Sequence, residues 1–244
     1  MKSKEWFESW FDTTYYHSLY KNRDESEAKQ FISKLVSFLN PKSGTKVLDL
    51  ACGKGRHSIT LNELGMNVLG VDLSQNSILN AKKFENETLK FDVHDMRASI
   101  ENHSFEIIFN LFTSFGYFDD YSDNEKVIQA IHSMLSHNGK LVIDFMNSEK
   151  VIQNLVSEET KIEDGITFNI SRNYDGNHIF KNIKFEDHDN KFHFTERVQA
   201  LKYNDFEKLL LNAGFEIDHS FGDFNLNTFH PQSSDRLIII ATKK

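Results

Sequence analysis

One cysteine, two prolines and no long apolar run are the first constraints that the 244-residue sequence sets. Cys52, standing alone, excludes an intrachain disulfide and suits a reducing compartment. No segment approaches the roughly 20 apolar residues that a membrane-crossing helix needs. Basic residues are also in short supply. Lys and Arg total 28 against 36 Asp and Glu, a net charge of −8, which argues against nucleic acid as a habitual partner. Near the N-terminus Trp6, Phe7, Trp10 and Phe11 are interrupted by Glu5, Glu8 and Asp12, which is not the pattern of a secretory leader. The expected location is therefore the cytoplasm, with no membrane partner. His178, His188 and His193 lack metal-ligand spacing and a carboxylate frame, so no metal site is expected.

What the chain does have is concentrated between Lys46 and Asp72. Val47, Leu48 and Leu50 form a short apolar run of strand type, followed by Gly53 and Gly55 one residue apart. A helical segment from Arg56 to Leu64 comes next, with Ile59, Leu61 and Leu64 as its apolar positions. A second strand, Asn67 to Asp72, ends in an acid. Strand, glycine turn, helix and strand is how a doubly wound α/β domain builds a nucleotide site, and an acid in the place of Asp72 receives ribose hydroxyls.

Val-Leu-Asp-Leu-Ala-Cys-Gly-Lys-Gly followed by Gly-Val-Asp72-Leu-Ser resembles the class I S-adenosylmethionine-dependent methyltransferases. The dehydrogenase pattern Gly-x-Gly-x-x-Gly is not met: counted from Ala51 it lacks its first glycine, and counted from Gly53 no glycine follows at position 58, which is Ser58. Ala51 also departs from the commonest methyltransferase pattern, which has glycine there. The resemblance implies a Rossmann-like seven-stranded sheet, S-adenosylmethionine as cofactor and a small-molecule methyl acceptor. It implies cofactor contacts from Asp49, Ala51, Gly53, Gly55, Asp72 and Leu73 in this first half. It also implies them from Asp95 and Met96 after the third strand, at the adenine, and from Asn110 and Leu111 at the end of the fourth.

The remaining segments fit that frame. Lys4 to Phe11 reads as an amphipathic helix, either docked on the domain or covering the cofactor. Tyr16, Tyr20 and Arg23 follow, and in the resembling family this region folds over the methionine end. There a tyrosine ring would face the sulfonium and an arginine the carboxylate. Asn110 to Phe118, Asn-Leu-Phe-Thr-Ser-Phe-Gly-Tyr-Phe, is similar to a phrase in methyltransferases acting on amino groups of small molecules, amino sugars included. Phe112, Phe115 and Tyr117, with Met146 and Asn147 after the fifth strand, are the expected acceptor contacts.

After the fifth strand the period changes to two, with Ile166, Phe168 and Ile170 alternating with polar residues. Asp175-Gly176 marks a hairpin turn. An antiparallel insertion of about three strands is expected. The terminal Leu-Ile-Ile-Ile run, 237–240, resembles the last, doubly buried strand of the family. The expected organisation is a helical lid at 1–40, a methyltransferase domain at 41–147 and 202–244, and an inserted helix and meander at 148–201. The expected activity is methyl transfer to a small molecule, with nitrogen favoured. The alternatives are an NAD-dependent oxidoreductase and an S-adenosylmethionine-binding protein without catalysis. Oligomeric state, monomer or homodimer, is not legible.

Overall fold

The computed structural model describes residues 6–21 and 25–244. Two short helices open it, α1 (Trp6–Trp10) and α2 (Thr14–Leu19), then the long α3 (Glu25–Leu39). The alternating part follows as β1 (Lys46–Leu50), α4 (Arg56–Glu63), β2 (Asn67–Asp72), α5 (Gln75–Ala81), β3 (Leu89–Val93) and β4 (Phe105–Asn110). It continues with α6 (Tyr121–Met134), β5 (Leu135–Met146) and α7 (Ser148–Gln153). Four strands, β6 (Glu158–Glu163), β7 (Ile166–Tyr174), β8 (His178–Asp187) and β9 (Asn190–Gln199), come next. The chain closes with α8 (Tyr203–Asn212), β10 (Phe215–Phe221) and β11 (Arg236–Lys243).

The main sheet has seven strands in the order β10-β11-β5-β4-β1-β2-β3. β1 to β5 pair in parallel, while β11 runs antiparallel between β5 and β10. This is the expected seven-stranded class I arrangement. Alternation along each strand sends one set of side chains to each face. Leu48, Ile108, Ile143 and Ile239 meet α6 and α8 on one side. Val47, Ile107, Val142 and Ile238 meet α3, α4 and α5 on the other. Two covered faces explain the unbroken run Leu237–Ile240, all four residues buried.

The second sheet is wholly antiparallel in the order β6-β7-β8-β9, one strand more than the sequence reading expects. The extra strand, Glu-Glu-Thr-Lys-Ile-Glu, lies at the sheet edge with most of its residues exposed, so it carries no apolar alternation. Its turn was readable nonetheless: Asp164 and Gly165 are both left-handed, at φ 52° and 80°. Phe168, Ile170, Ile183 and Phe185 form a small core with Trp10 and Leu19. The second sheet is therefore the platform on which α1 and α2 lie. Trp10 is 1 % exposed, its Nε1 donating to Glu196 at 2.7 Å, and the Tyr15 hydroxyl donates to Asp187 at 2.9 Å.

Candidate functional site

A cavity of about 390 Å³ opens at the carboxyl ends of β1, β2 and β4, the switch region where doubly wound sheets bind ligands. Its floor is the loop from Ala51 to Arg56. Ala51 leaves β1 at φ +66°, a left-handed conformation that glycine adopts freely and alanine does not. That geometry accounts for the glycine in the commoner pattern at this position. Gly53 follows at φ +56° with open space where a Cβ would stand, and it lines the cavity. The loop is anchored by Cys52 N–H donating to the Val71 carbonyl at 2.9 Å and by Gly55 N–H donating to the Cys52 carbonyl at 3.0 Å.

Asp72 ends β2 on the cavity wall. One carboxylate oxygen accepts the Gly53 N–H and the other the Ser74 N–H, each at 2.8 Å. Burial pushes its carboxyl above the usual range, against the pull of those two N–H groups. Two donors leave further lone pairs on a carboxylate already fixed in direction. Behind it Asp12, between α1 and α2, accepts from the Ser74 hydroxyl and the Asn76 amide, both at 2.6 Å. The N-terminal segment is thus tied to the start of α5.

Asp95 and Met96 reach the cavity from the segment after β3. Asp95 is not idle: Arg97 donates to it from Nε at 3.0 Å and from Nη2 at 2.7 Å. Burial pushes the Asp95 carboxyl up, and the Arg97 hydrogen bonds and charge outweigh it, leaving the group below the usual carboxylate range.

The roof is aromatic. Phe11, Tyr16, Tyr20 and Tyr117 line the cavity, with ring centroids 4.9 Å apart for Phe11 and Tyr16, 5.4 Å for Phe11 and Tyr117, and 4.9 Å for Tyr16 and Tyr20. The Tyr20 hydroxyl is fixed by donation to Glu196 at 2.7 Å, and Lys181 lies 4.4 Å from its ring centre. Phe112 forms the wall beside α4, where the His57 ring stacks on it at 4.7 Å and the Arg56 guanidinium lies 4.6 Å from its centre.

Of the residues expected at the site, Tyr16, Tyr20, Ala51, Gly53, Asp72, Leu73, Asp95, Met96, Leu111, Phe112 and Tyr117 border this cavity. Arg23 lies outside the described residues. Six others stand off the cavity wall. Asp49 is buried beneath the loop, accepting the Ser58 hydroxyl at 2.5 Å. Gly55 faces Phe91, whose ring a Cβ would meet at 2.6 Å. Asn110 is buried and donates to the Leu50 carbonyl at 3.0 Å, tying β4 to β1. Phe115 is buried against Phe206, with centroids 5.5 Å apart. Met146 packs on the core beside β11, and Asn147 donates to the Pro231 and Ser234 carbonyls at 2.7 and 2.8 Å.

Sequence reasoning missed Phe7, Phe11, His17, Lys54, His57 and His94, all of which border the cavity. Lys54 lay in view inside the glycine loop but carried no pattern of its own. His17 is held below the ordinary histidine range by burial and then by the Lys54 charge, against the opposing charge of Asp12. Cys52 is buried, and burial pushes its thiol well up, the setting of an inert structural cysteine. Among the described residues no cluster of His, Cys, Asp or Glu could hold a metal, and no helix is long and apolar enough to cross a membrane.

A family described as "Methyltransferase domain" matches residues 41–196. The chain is 29% identical over 246 aligned residues to a glycine/sarcosine N-methyltransferase of Aphanothece halophytica, covering 97% of this chain and 87% of that protein. Its fold is similar to that of an S-adenosylmethionine-dependent methyltransferase from Clostridium acetobutylicum. That match has a TM-score of 0.80 and 22% identity over 94% of this chain and 96% of the other. It is also similar to CalS10 of Micromonospora echinaspora, an amino pentose methyltransferase solved with S-adenosylmethionine bound. There the TM-score is 0.71 with 16% identity, over 95% of this chain and 98% of that one.

Proposed function

Since the chain belongs to the S-adenosylmethionine-dependent methyltransferases, we propose that it methylates a nitrogen atom of a small molecule, an amino acid or amino sugar being the acceptor class. Family membership sets aside the NAD-dependent oxidoreductase. Nitrogen is supported by the N-methyltransferase relative and by the similarity of the Asn110–Phe118 phrase. The single cysteine and the acidic balance support a cytoplasmic enzyme without a nucleic-acid partner.

The residues fit the cofactor. The observation that carries the reading is Asp72, a carboxylate held on the cavity wall by the Gly53 and Ser74 N–H groups, whose remaining lone pairs would accept two ribose hydroxyls. Gly53 allows close backbone approach at the methionyl part, where Ala51 is adjacent. Leu73, Met96 and Leu111 would enclose the adenine, with Asp95 near its amino group. Tyr16 and Tyr20 would face the sulfonium with their rings, a contact worth about 0.5–2 kcal/mol. Arg23 is proposed for the carboxylate. Phe112 and Tyr117 would border the acceptor.

The bound cofactor supplies an activated methyl group whose sulfur departs as a neutral thioether. The chain's own task is to align the acceptor nitrogen with that methyl and to exclude water, which an aromatic roof over a glycine floor is built to do. Calorimetry with S-adenosylhomocysteine and with NAD tests the cofactor assignment. A screen of primary and secondary amines against labelled S-adenosylmethionine tests the acceptor class. Binding of NAD alone, or transfer only to phenols, would overturn the respective part.

A further inference from the structure

The turn after β4 contains two consecutive non-glycine residues in the left-handed region, Phe112 at φ +57° and Thr113 at φ +60°. Such a pair is rare, and a β-branched threonine there is a conformational outlier that persists only where its surroundings enforce it. The enforcement is visible. Phe112 N–H donates to Asp144 Oδ2 at 2.8 Å, and Thr113 N–H donates to the Asp144 carbonyl at 2.9 Å. Asp144 has a fully buried side chain on β5. Its other oxygen accepts Arg236 Nε at 2.8 Å, while Arg236 Nη2 donates to the Thr113 hydroxyl at 3.0 Å. Arg236 begins β11, pairing opposite Met146 just past Asp144.

We infer that Asp144 and Arg236 are positioning residues for the methyl-transfer site, a clamp that holds the Phe112–Thr113 turn in its strained form. The turn in this form sets the Phe112 ring against His57 and the Arg56 guanidinium, closing one wall of the cavity. Neither clamp residue borders the cavity. A buried ion pair is a poor device for stability alone, because its desolvation offsets most of its Coulomb gain. A pair whose carboxylate also fixes the Phe112 N–H, and whose guanidinium fixes the Thr113 hydroxyl, is instead a device for geometry. The two aromatic rings beside it agree with that use, since Phe224 packs 5.2 Å from Phe112 and Arg236 lies 5.5 Å from the Phe224 centre.

This inference rests on the cavity being the cofactor site, and its test separates the two. The variants are Thr113→Val, which removes only the bond to Arg236, Thr113→Gly, which removes that bond and the strain together, and Arg236→Lys, which keeps the charge beside Asp144. Their affinity for S-adenosylhomocysteine is measured by calorimetry, their stability by urea unfolding and their Phe112 and Thr113 amide exchange by NMR. Thr113→Val should bind about tenfold more weakly than the wild type. Thr113→Gly should bind about fivefold more tightly than Thr113→Val, because glycine takes the left-handed conformation without enforcement. Arg236→Lys should exchange faster at both amides, and adding Thr113→Gly should recover affinity. Equal affinities for the valine and glycine variants, or affinity falling only in step with stability, would reduce the pair to a structural role. A wild type that binds no S-adenosylhomocysteine would overturn the cofactor assignment instead. The clamp then stands or falls on exchange, and unchanged exchange in Arg236→Lys would overturn it.

Discussion

Gly55→Ala should unfold the domain more readily than its position in a cofactor loop suggests. Gly55 sits at φ +83°, and a Cβ added there would lie 2.6 Å from two atoms of the Phe91 ring and 3.3 Å from the Ala81 Cβ. Phe91 is 3 % exposed, and Gly70 meets the same ring, so the ring has nowhere to retreat. A left-handed L-residue costs roughly 1–2 kcal/mol, and overpacking a core adds about 1–3 kcal/mol. The sum, about 2–5 kcal/mol, is a large part of the 5–15 kcal/mol typical of a domain. Gly53→Ala is the control, being left-handed with open space at its Cβ, so it should lose only the first, roughly 1–2 kcal/mol. Urea unfolding of both variants reads the difference. This departs from the expectation, implied by the family resemblance, that Gly55 contacts the cofactor. Equal stability of the two variants, or a stable Gly55→Ala that has lost only cofactor binding, would refute the packing argument.

Asp72→Ala should weaken S-adenosylhomocysteine on the order of tenfold or more, since hydrogen bonds to a charged group are worth roughly 1.5–3 kcal/mol each; unchanged calorimetric affinity in a folded variant would remove the ribose assignment. Asp49 should make its own mark on the pH dependence of stability. Burial pushes its carboxyl from 3.8 to about 6, the Ser58 hydroxyl pulling the other way and the Asp72 charge adding to the rise. The folded state thus holds a proton that the unfolded chain releases, and stability is lost as pH rises between about 4 and 6, by on the order of 3 kcal/mol. In unfolding titrations the wild type should fall relative to Asp49→Asn across that window, whereas parallel curves would contradict the assignment. Residues 6–20, docked on the second sheet, should exchange slowly without ligand, and Trp10→Ala should cost about 3–5 kcal/mol. Fast exchange in the free protein would show instead a lid that orders on binding.

Much of the fold was legible because its signals were strong and local. Apolar runs at 47–50, 67–72 and 237–240 mark strands covered on both faces, and the acid ending the second of them is where the site lies. The edge strand at 158–163 was illegible for the opposite reason: a solvated edge demands no apolar alternation. In the aromatic phrase after β4, sequence could not separate Phe112, in the cavity, from Phe115, in the core. The left-handed turn at 112–113 reorients the chain, and its cause lies on β5 and β11, far away in sequence. Asp49 and Asn110 stood at the right strand ends. Their side chains turn inward, to Ser58 and to the Leu50 carbonyl, so the motif's position did not make them cavity residues. Phe11 and His17 reach the cavity only because the second sheet holds the N-terminal helices over it, and no local pattern encodes that contact.

Methyl transfer to nitrogen within the Asp72 cavity is the activity that the fold, the site and the relatives jointly point to. Purified protein incubated with methyl-labelled S-adenosylmethionine and a panel of amino acids, amino sugars and phenols tests it directly, with Asp72→Ala run in parallel. Label is expected on the nitrogen of at least one amino acid or amino sugar, with stoichiometric S-adenosylhomocysteine and a rate cut on the order of tenfold or more in the variant at limiting cofactor. Label found only on oxygen, or a variant as fast as the wild type under that condition, would contradict it.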